Sequence, residues 1–323
     1  MRFNPFPIVF FIRHTGNVYN KKKNKRIMKK RYRIGIDRLE ITYIATEVQK
    51  EYLSNPKKSE YVYDSFVLRR CECRNYTNEF AIVAKDYDTE IGVYDRIIGF
   101  LHFGSPNPNR QNVYMVFENG TLYNRNWLAS RFNFGDELGF QFKQISKLDI
   151  FVDFNFNINR LFYRVYKNED YDFVINGNKV HGLTQKVQDV IHIAGHTTRK
   201  RVFANPSPIV KNADGSLNLK IYNKGAEINE ESGKEYVRET AGFGSRIWRM
   251  EISCGNHKRL KKALDKIGMS DEDIYVDLQN ERVLIGRFKT LMNMLIRVQY
   301  KRRSYSLVDM MLDGIECDDW LSA

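Results

Sequence analysis

Only four cysteines, Cys71, Cys73, Cys254 and Cys317, occur in 323 residues, and none of them forms a CxxC pair. That spacing argues against a zinc ribbon and against a disulfide framework, and it suits a reducing compartment. Long apolar runs are missing too. The stretch Ile8 to Ile12 is far too short to span a bilayer, and no small-residue cleavage site follows it. A soluble, cytoplasmic protein without a membrane partner is therefore expected. No internal repeat or low-complexity tract interrupts a chain that is 42% hydrophobic, so its core is that of a globular protein. Acids are the scarcer charge, 39 Asp and Glu against 52 Lys and Arg, giving a net charge of +13. Such a balance attracts polyanions, nucleic acid ahead of a membrane surface.

What is present begins with KKKNKRIMKKRYR, Lys21 to Arg33, a cationic block that would repel itself inside a compact domain. Residues 1–33 read as a basic arm making phosphate contacts, or as an extension ahead of a start at Met28. The folded domain, 34–265, opens with IGIDRLEITYI, where Ile34, Ile36, Ile41 and Tyr43 alternate with polar Asp37 and Glu40. Further strands are predicted at Tyr61–Cys73, Glu79–Ala84, Arg96–Phe103 and Asn112–Glu118, parted by turn signals such as GSPNPNRQN. Helical spacing marks Trp127–Leu138, Leu183–Ile193 and Arg282–Val298, and a basic helix starts at Lys258–Lys262. The prediction is an α+β fold, a central antiparallel β-sheet with helices packed on one face. Residues 266–323 are expected to form a helical segment that reads DNA sequence.

Three strands carry the chemistry. In LNLKIYNKGAE, alternation puts Lys220, Tyr222 and Lys224 on one face. A phenol between two cations has its charged form favoured and becomes a usable nucleophile; a solvated edge strand is the plain alternative. In KLDIFVDFN, Asp149, Phe151 and Asp153 share a face, and burying two acids there calls for a divalent cation or paired lysines, unless they cap turns. In SRIWRMEIS, Arg249, Glu251 and Ser253 share a face, adding a third acid. His192 and His196 are four apart, whereas a paired-histidine metal motif on a strand needs them two apart, so they are read as surface or packing residues. Phosphate contacts are expected from Lys220, Arg249, the cluster Arg199, Lys200 and Arg201, the pair Lys258 and Arg259, and the run Lys301, Arg302 and Arg303.

Taken in order, KLDIFVDF, LKIYNKGAE and WRMEIS resemble the Rep_trans family of trans-acting rolling-circle replication initiators. That family's core carries an RLDLAxDF-like strand, an RIYxK strand and a WxRxE-like strand. The resemblance spans residues 34–265. It implies that Tyr222 nicks one DNA strand at an origin, forming a 5′-phosphotyrosine adduct and a 3′-hydroxyl primer, and later rejoins the ends. It implies Mg²⁺ or Mn²⁺ held by Asp149, Asp153 and Glu251. Lys224 would hold the phosphate or stabilise the phenolate, and Glu227 would act as a fourth ligand or a base. The partners implied are a supercoiled duplex origin and single-stranded DNA, with a host helicase, a polymerase and a second copy of the chain as further candidates. Lys147 and Lys220 stand where the family has Arg, and RVFANPSPIVKNADG replaces a TxYxG-like segment. A mobilisation relaxase or phage integration factor would share the chemistry. A noncatalytic DNA-binding module would use the same acids and lysines as structural ion pairs.

Overall fold

Strands with one apolar face need a partner layer on that face only, and this chain builds one very wide sheet on that rule. The computed structural model describes residues 32–72, 76–88, 90–107, 111–124, 134–168, 170–175, 177–180, 191–194, 207–212, 214–268, 278, 280–300 and 303–313. Its strands are β1 (Tyr32–Ile44), β2 (Glu60–Val62), β3 (Val67–Arg70), β4 (Asn78–Asp88), β5 (Gly92–Phe103), β6 (Val113–Phe117), β7 (Gln141–Phe154) and β8 (Tyr171–Ile175). They continue with β9 (Asn178–Val180), β10 (Ile191–Ala194), β11 (Ser207–Lys211), β12 (Leu217–Asn223), β13 (Trp248–Cys254), β14 (Ile296–Tyr300) and β15 (Arg303–Ser306). Eleven of them form one antiparallel sheet in the order β10-β11-β12-β13-β7-β1-β6-β5-β4-β3-β2. A second sheet of four runs β15-β14-β8-β9.

The apolar face of the large sheet, with Ile34, Ile36, Leu148, Ile150, Val152, Leu219, Ile221, Met250 and Ile252 buried, forms the main core. Helices Ile158–Lys167, His257–Asp265 and Glu281–Leu295 pack on its central strands. Phe288, Leu291 and Leu295 of the last helix are fully buried in that core. The fold is the α+β arrangement expected, with one addition. Two short helices, Asn119–Tyr123 and Tyr236–Ala241, cover a corner of the opposite, polar face, where Tyr123, Phe151, Ile228, Val237, Ala241 and Ile247 make a separate small cluster.

Local expectations differ in places. Tyr32 and Arg33, counted with the basic arm, are the first residues of β1; residues 1–31 lie outside the described residues. The helix expected through Val298 stops at Leu295, and Ile296–Tyr300 pairs with β8 instead, because IRVQY also alternates as a strand does. Ile191–Ala194 is a strand paired with β11 rather than the end of a helix, while 183–190 lies outside the described residues. Of Trp127–Leu138, the described part is helical at Phe134–Glu137. No described helix is long and apolar enough to cross a membrane.

Candidate active site

Register assembles the site. Tyr222 of β12 sits opposite Arg249 of β13, which sits opposite Asp153 of β7, opposite Arg33 of β1. The next row is Lys220, Glu251, Phe151 and Gly35, and the next Asn218, Ser253, Asp149 and Arg38. Residues directly opposite in antiparallel strands share a face, so three motif strands distant in sequence present one polar surface. Gly35 is what lets it close, since a Cβ there would lie 2.5 Å from the Phe151 ring.

Under the helical corner, Arg249 is 0% exposed. Its Nε and Nη2 donate to the two Asp153 oxygens at 2.7 and 2.9 Å, and Nη1 donates to Asp37 Oδ1 at 3.0 Å. Its guanidinium lies 3.8 Å from the Phe151 ring centroid. Burial alone would lower the Arg249 pKa, but the Asp153 carboxylate and neighbouring groups hold it well above the usual arginine value. Asp37 is held below the carboxylate range: burial pushes it up, and Arg249 with a hydrogen bond from the Tyr123 hydroxyl more than offsets this. Two expectations are corrected here. Asp153 is not available as a metal ligand, because both its oxygens are taken by Arg249. Arg249 cannot be a phosphate contact, because it is buried between two carboxylates.

Tyr222 is half-buried at the edge of this network, and its hydroxyl donates to Glu251 Oε2 at 2.8 Å. The expectation that flanking lysines favour the phenolate does not hold. Burial lifts the phenol well above the ordinary tyrosine pKa; Arg249 opposes this, while the charges of Glu251 and Asp37 and the hydrogen bond to Glu251 add to it. Each lysine lies beside an acid of its own. Lys220, with a side chain 44% exposed, has its Nζ 3.9 Å from Glu251 Oε1. Lys224, only 4% exposed, has its Nζ 2.7 Å from Glu227 Oε2 and 5.8 Å from the Tyr222 ring centroid.

The turn after the strand explains that pairing. Asn223 Oδ1 accepts from the Ala226 amide at 3.0 Å and caps one helical turn, Lys224–Glu227, which sets the lysine and the glutamate three residues apart on one side. Gly225 donates to the Ile247 carbonyl at 2.9 Å, and any Cβ there would overlap the Ser245 carbonyl oxygen. Glu227 is thus engaged by Lys224 and is not placed as a base for Tyr222.

Asp149 is different. Its pKa is raised to about 6, by burial first and by the charge of Glu251 second. Among the described residues its Oδ1 is buried and accepts no hydrogen bond. An acid with an orphaned oxygen, repelled by a second acid in the adjoining row, is the donor set a hard divalent cation relieves. Asp149 and Glu251 therefore fit Mg²⁺ or Mn²⁺, although no described group of three His, Cys, Asp or Glu is arranged as a metal site.

Of the expected phosphate contacts, Lys258 is exposed and Arg259 donates to Asp214 Oδ2 at 3.2 Å. Arg303 is exposed on β15. Arg199, Lys200, Arg201, Lys301 and Arg302 lie outside the described residues, as does His196. Sequence reading missed Asp37 and Tyr123. The signal for Asp37 is a change of phase: apolar positions are even at Ile34 and Ile36 but odd at Leu39, Ile41 and Tyr43, which is the mark of a β-bulge, and the register does shift between Ile36 and Arg38. Tyr123 carries no comparable local signal.

No family model matches this chain, and no curated protein matches it in sequence. Among solved structures it is similar to a rolling circle replication initiator protein from Geobacillus stearothermophilus, with a TM-score of 0.40 and 11% identity over 88% of this chain and 96% of that one.

Proposed function

We propose that this protein is a DNA nicking and closing enzyme that initiates rolling-circle replication, with Tyr222 as its nucleophile. The observation that carries the reading is the 2.8 Å hydrogen bond from the Tyr222 hydroxyl to Glu251, on a face shared with Lys220 and Asp149. A phenol held neutral needs a base at the moment of attack, and Glu251 is at the distance general-base catalysis requires. The Tyr222 Oη attacks the phosphorus as its proton passes to Glu251. The P–O3′ bond breaks, leaving a 5′-phosphotyrosine and, after protonation, a free 3′-hydroxyl; reversal of the same steps rejoins the ends. Lys220, its side chain 44% exposed beside Glu251, would hold a nonbridging oxygen. Asp149 and Glu251 would hold Mg²⁺ or Mn²⁺, which when bound neutralises the charge gathering on the phosphoryl oxygens. Lys224 and Asp153 act one step removed, bracing the turn below the tyrosine and fixing Arg249.

The alternative of structural ion pairs describes Arg249 with Asp153 and Asp37, and Lys224 with Glu227. It does not account for Asp149, an acid left partly unsatisfied. The test is incubation of the protein with the supercoiled replicon that encodes it and Mg²⁺. Relaxed circles carrying covalently bound protein are expected, and none with Tyr222→Phe, whose DNA affinity should stay within a few-fold. Full nicking by Tyr222→Phe would overturn the mechanism.

A further inference from the structure

The polar face does not end at Asp149. One row further along β7 and β1 come Lys147 and Glu40, and then Gln144 and Thr42, which continue across β6 and β5 to Tyr114 and His102. At about 6.7 Å per pair of residues, the Lys147 row lies about 13 Å from the row of Glu251. There the face opens into a trough of about 920 Å³ that Arg38, Lys143, Lys147, Tyr76, His102 and Tyr114 help to line. Its floor is aromatic. The Tyr76 and His102 rings stack at 5.1 Å, and Tyr114 lies 6.3 Å from Tyr76. Among the charged residues lining the trough Glu40 lies 3.9 Å from Arg38, which leaves Lys143 and Lys147 as surplus positive charge.

At the other end the face is closed over Arg249 and Asp153, which lie buried beneath helices Asn119–Tyr123 and Tyr236–Ala241. A strand lying over Tyr222 and Glu251 therefore has an open course in one direction, toward the trough. Cations that track a backbone beside rings that accept base faces are the means by which proteins bind unpaired nucleic acid, since bases in a duplex have no free face to offer. We propose that this trough is a binding track for single-stranded DNA, holding nucleotides next to the scissile phosphate. The inference rests on the nicking reading for its direction, but its chemistry is that of the trough alone.

The test uses the full chain and fluorescence anisotropy with two probes, a 16-nucleotide dT oligomer and a hairpin duplex of equal charge. Tyr76→Ala and Tyr114→Ala should each weaken dT binding about tenfold, as loss of one stacked base does, with duplex binding within twofold. Tyr76→Phe, which keeps the ring, should restore dT binding. Unchanged dT affinity in both alanine variants, or equal loss on both probes in folded protein, overturns the track. Adduct formation separates this from the catalytic reading. If both alanine variants bind dT like the wild type while Tyr222-dependent adducts persist, the track falls and the nicking stands. If the variants lose dT binding selectively while no adduct ever forms, the track stands and the nicking falls.

Discussion

Asp149 and Asp153 share one motif, KLDIFVDF, yet differ in kind, and that difference is measurable. Asp149 has a pKa near 6, above the ordinary 3.8, so the folded state binds its proton more tightly than the unfolded chain does. Its contribution to stability is present below about pH 4 and is lost as pH rises through about 6. Asp149→Asn should therefore raise the melting temperature at pH 7.5 by a few degrees and change it little at pH 4. Mg²⁺ should stabilise the wild type at pH 7.5 and not the variant. Nicking should fall in the variant, with partial recovery in excess Mn²⁺. A variant that is less stable at pH 7.5 would show that the carboxylate is already satisfied. Asp153→Asn should behave in the opposite way, since it leaves a buried guanidinium short of a partner, a loss of about 3–5 kcal/mol that Mn²⁺ does not restore.

At the scale of elements, what was legible is what depends on period. The alternation in Lys147–Phe154, Leu217–Asn223 and Trp248–Ser253 names both the strands and the residues that share their polar face, because a two-residue period admits only one face assignment. What alternation does not carry is which charge meets which. The flanking lysines suggest an activated phenolate, but Lys224 leaves the strand face through a turn capped by Asn223 and is taken by Glu227. Likewise Ile296–Tyr300 is a strand because β8 lies beside it, and nothing in its own five residues distinguishes the two periods. Gly225 offers the matching test. Gly225→Ala places a methyl against the Ser245 carbonyl oxygen, which is backbone and cannot swing aside. A destabilisation of about 1–3 kcal/mol by denaturant titration is expected, with nicking reduced beyond that because the turn carrying Lys224 shifts beneath the Tyr222 ring. Wild-type stability and rate in this variant would mean the turn is compliant.

For the whole molecule, charge and shape divide the work of holding DNA. The excess of cations, +13 in total, includes eight lysines and arginines between Lys21 and Arg31, ahead of the first strand. Contacts of this kind act through counterion release, about 0.9 in the slope of log K against log salt per neutralised phosphate, and they do not distinguish paired from unpaired strands. The rings of the trough do distinguish them, because only an unpaired base has a free face to stack. Deleting residues 1–31, which also removes Arg2 and Arg13, should therefore flatten the salt slope for both probes, by up to about 9 on the duplex and about 7 on the single strand if every cation engages a phosphate, while the preference for the single strand is kept. Lys143→Gln and Lys147→Gln should each lower the slope by about 1 on the single-stranded probe alone. If the deletion leaves both slopes unchanged, the basic block makes no phosphate contact and the affinity comes from residues 32–323.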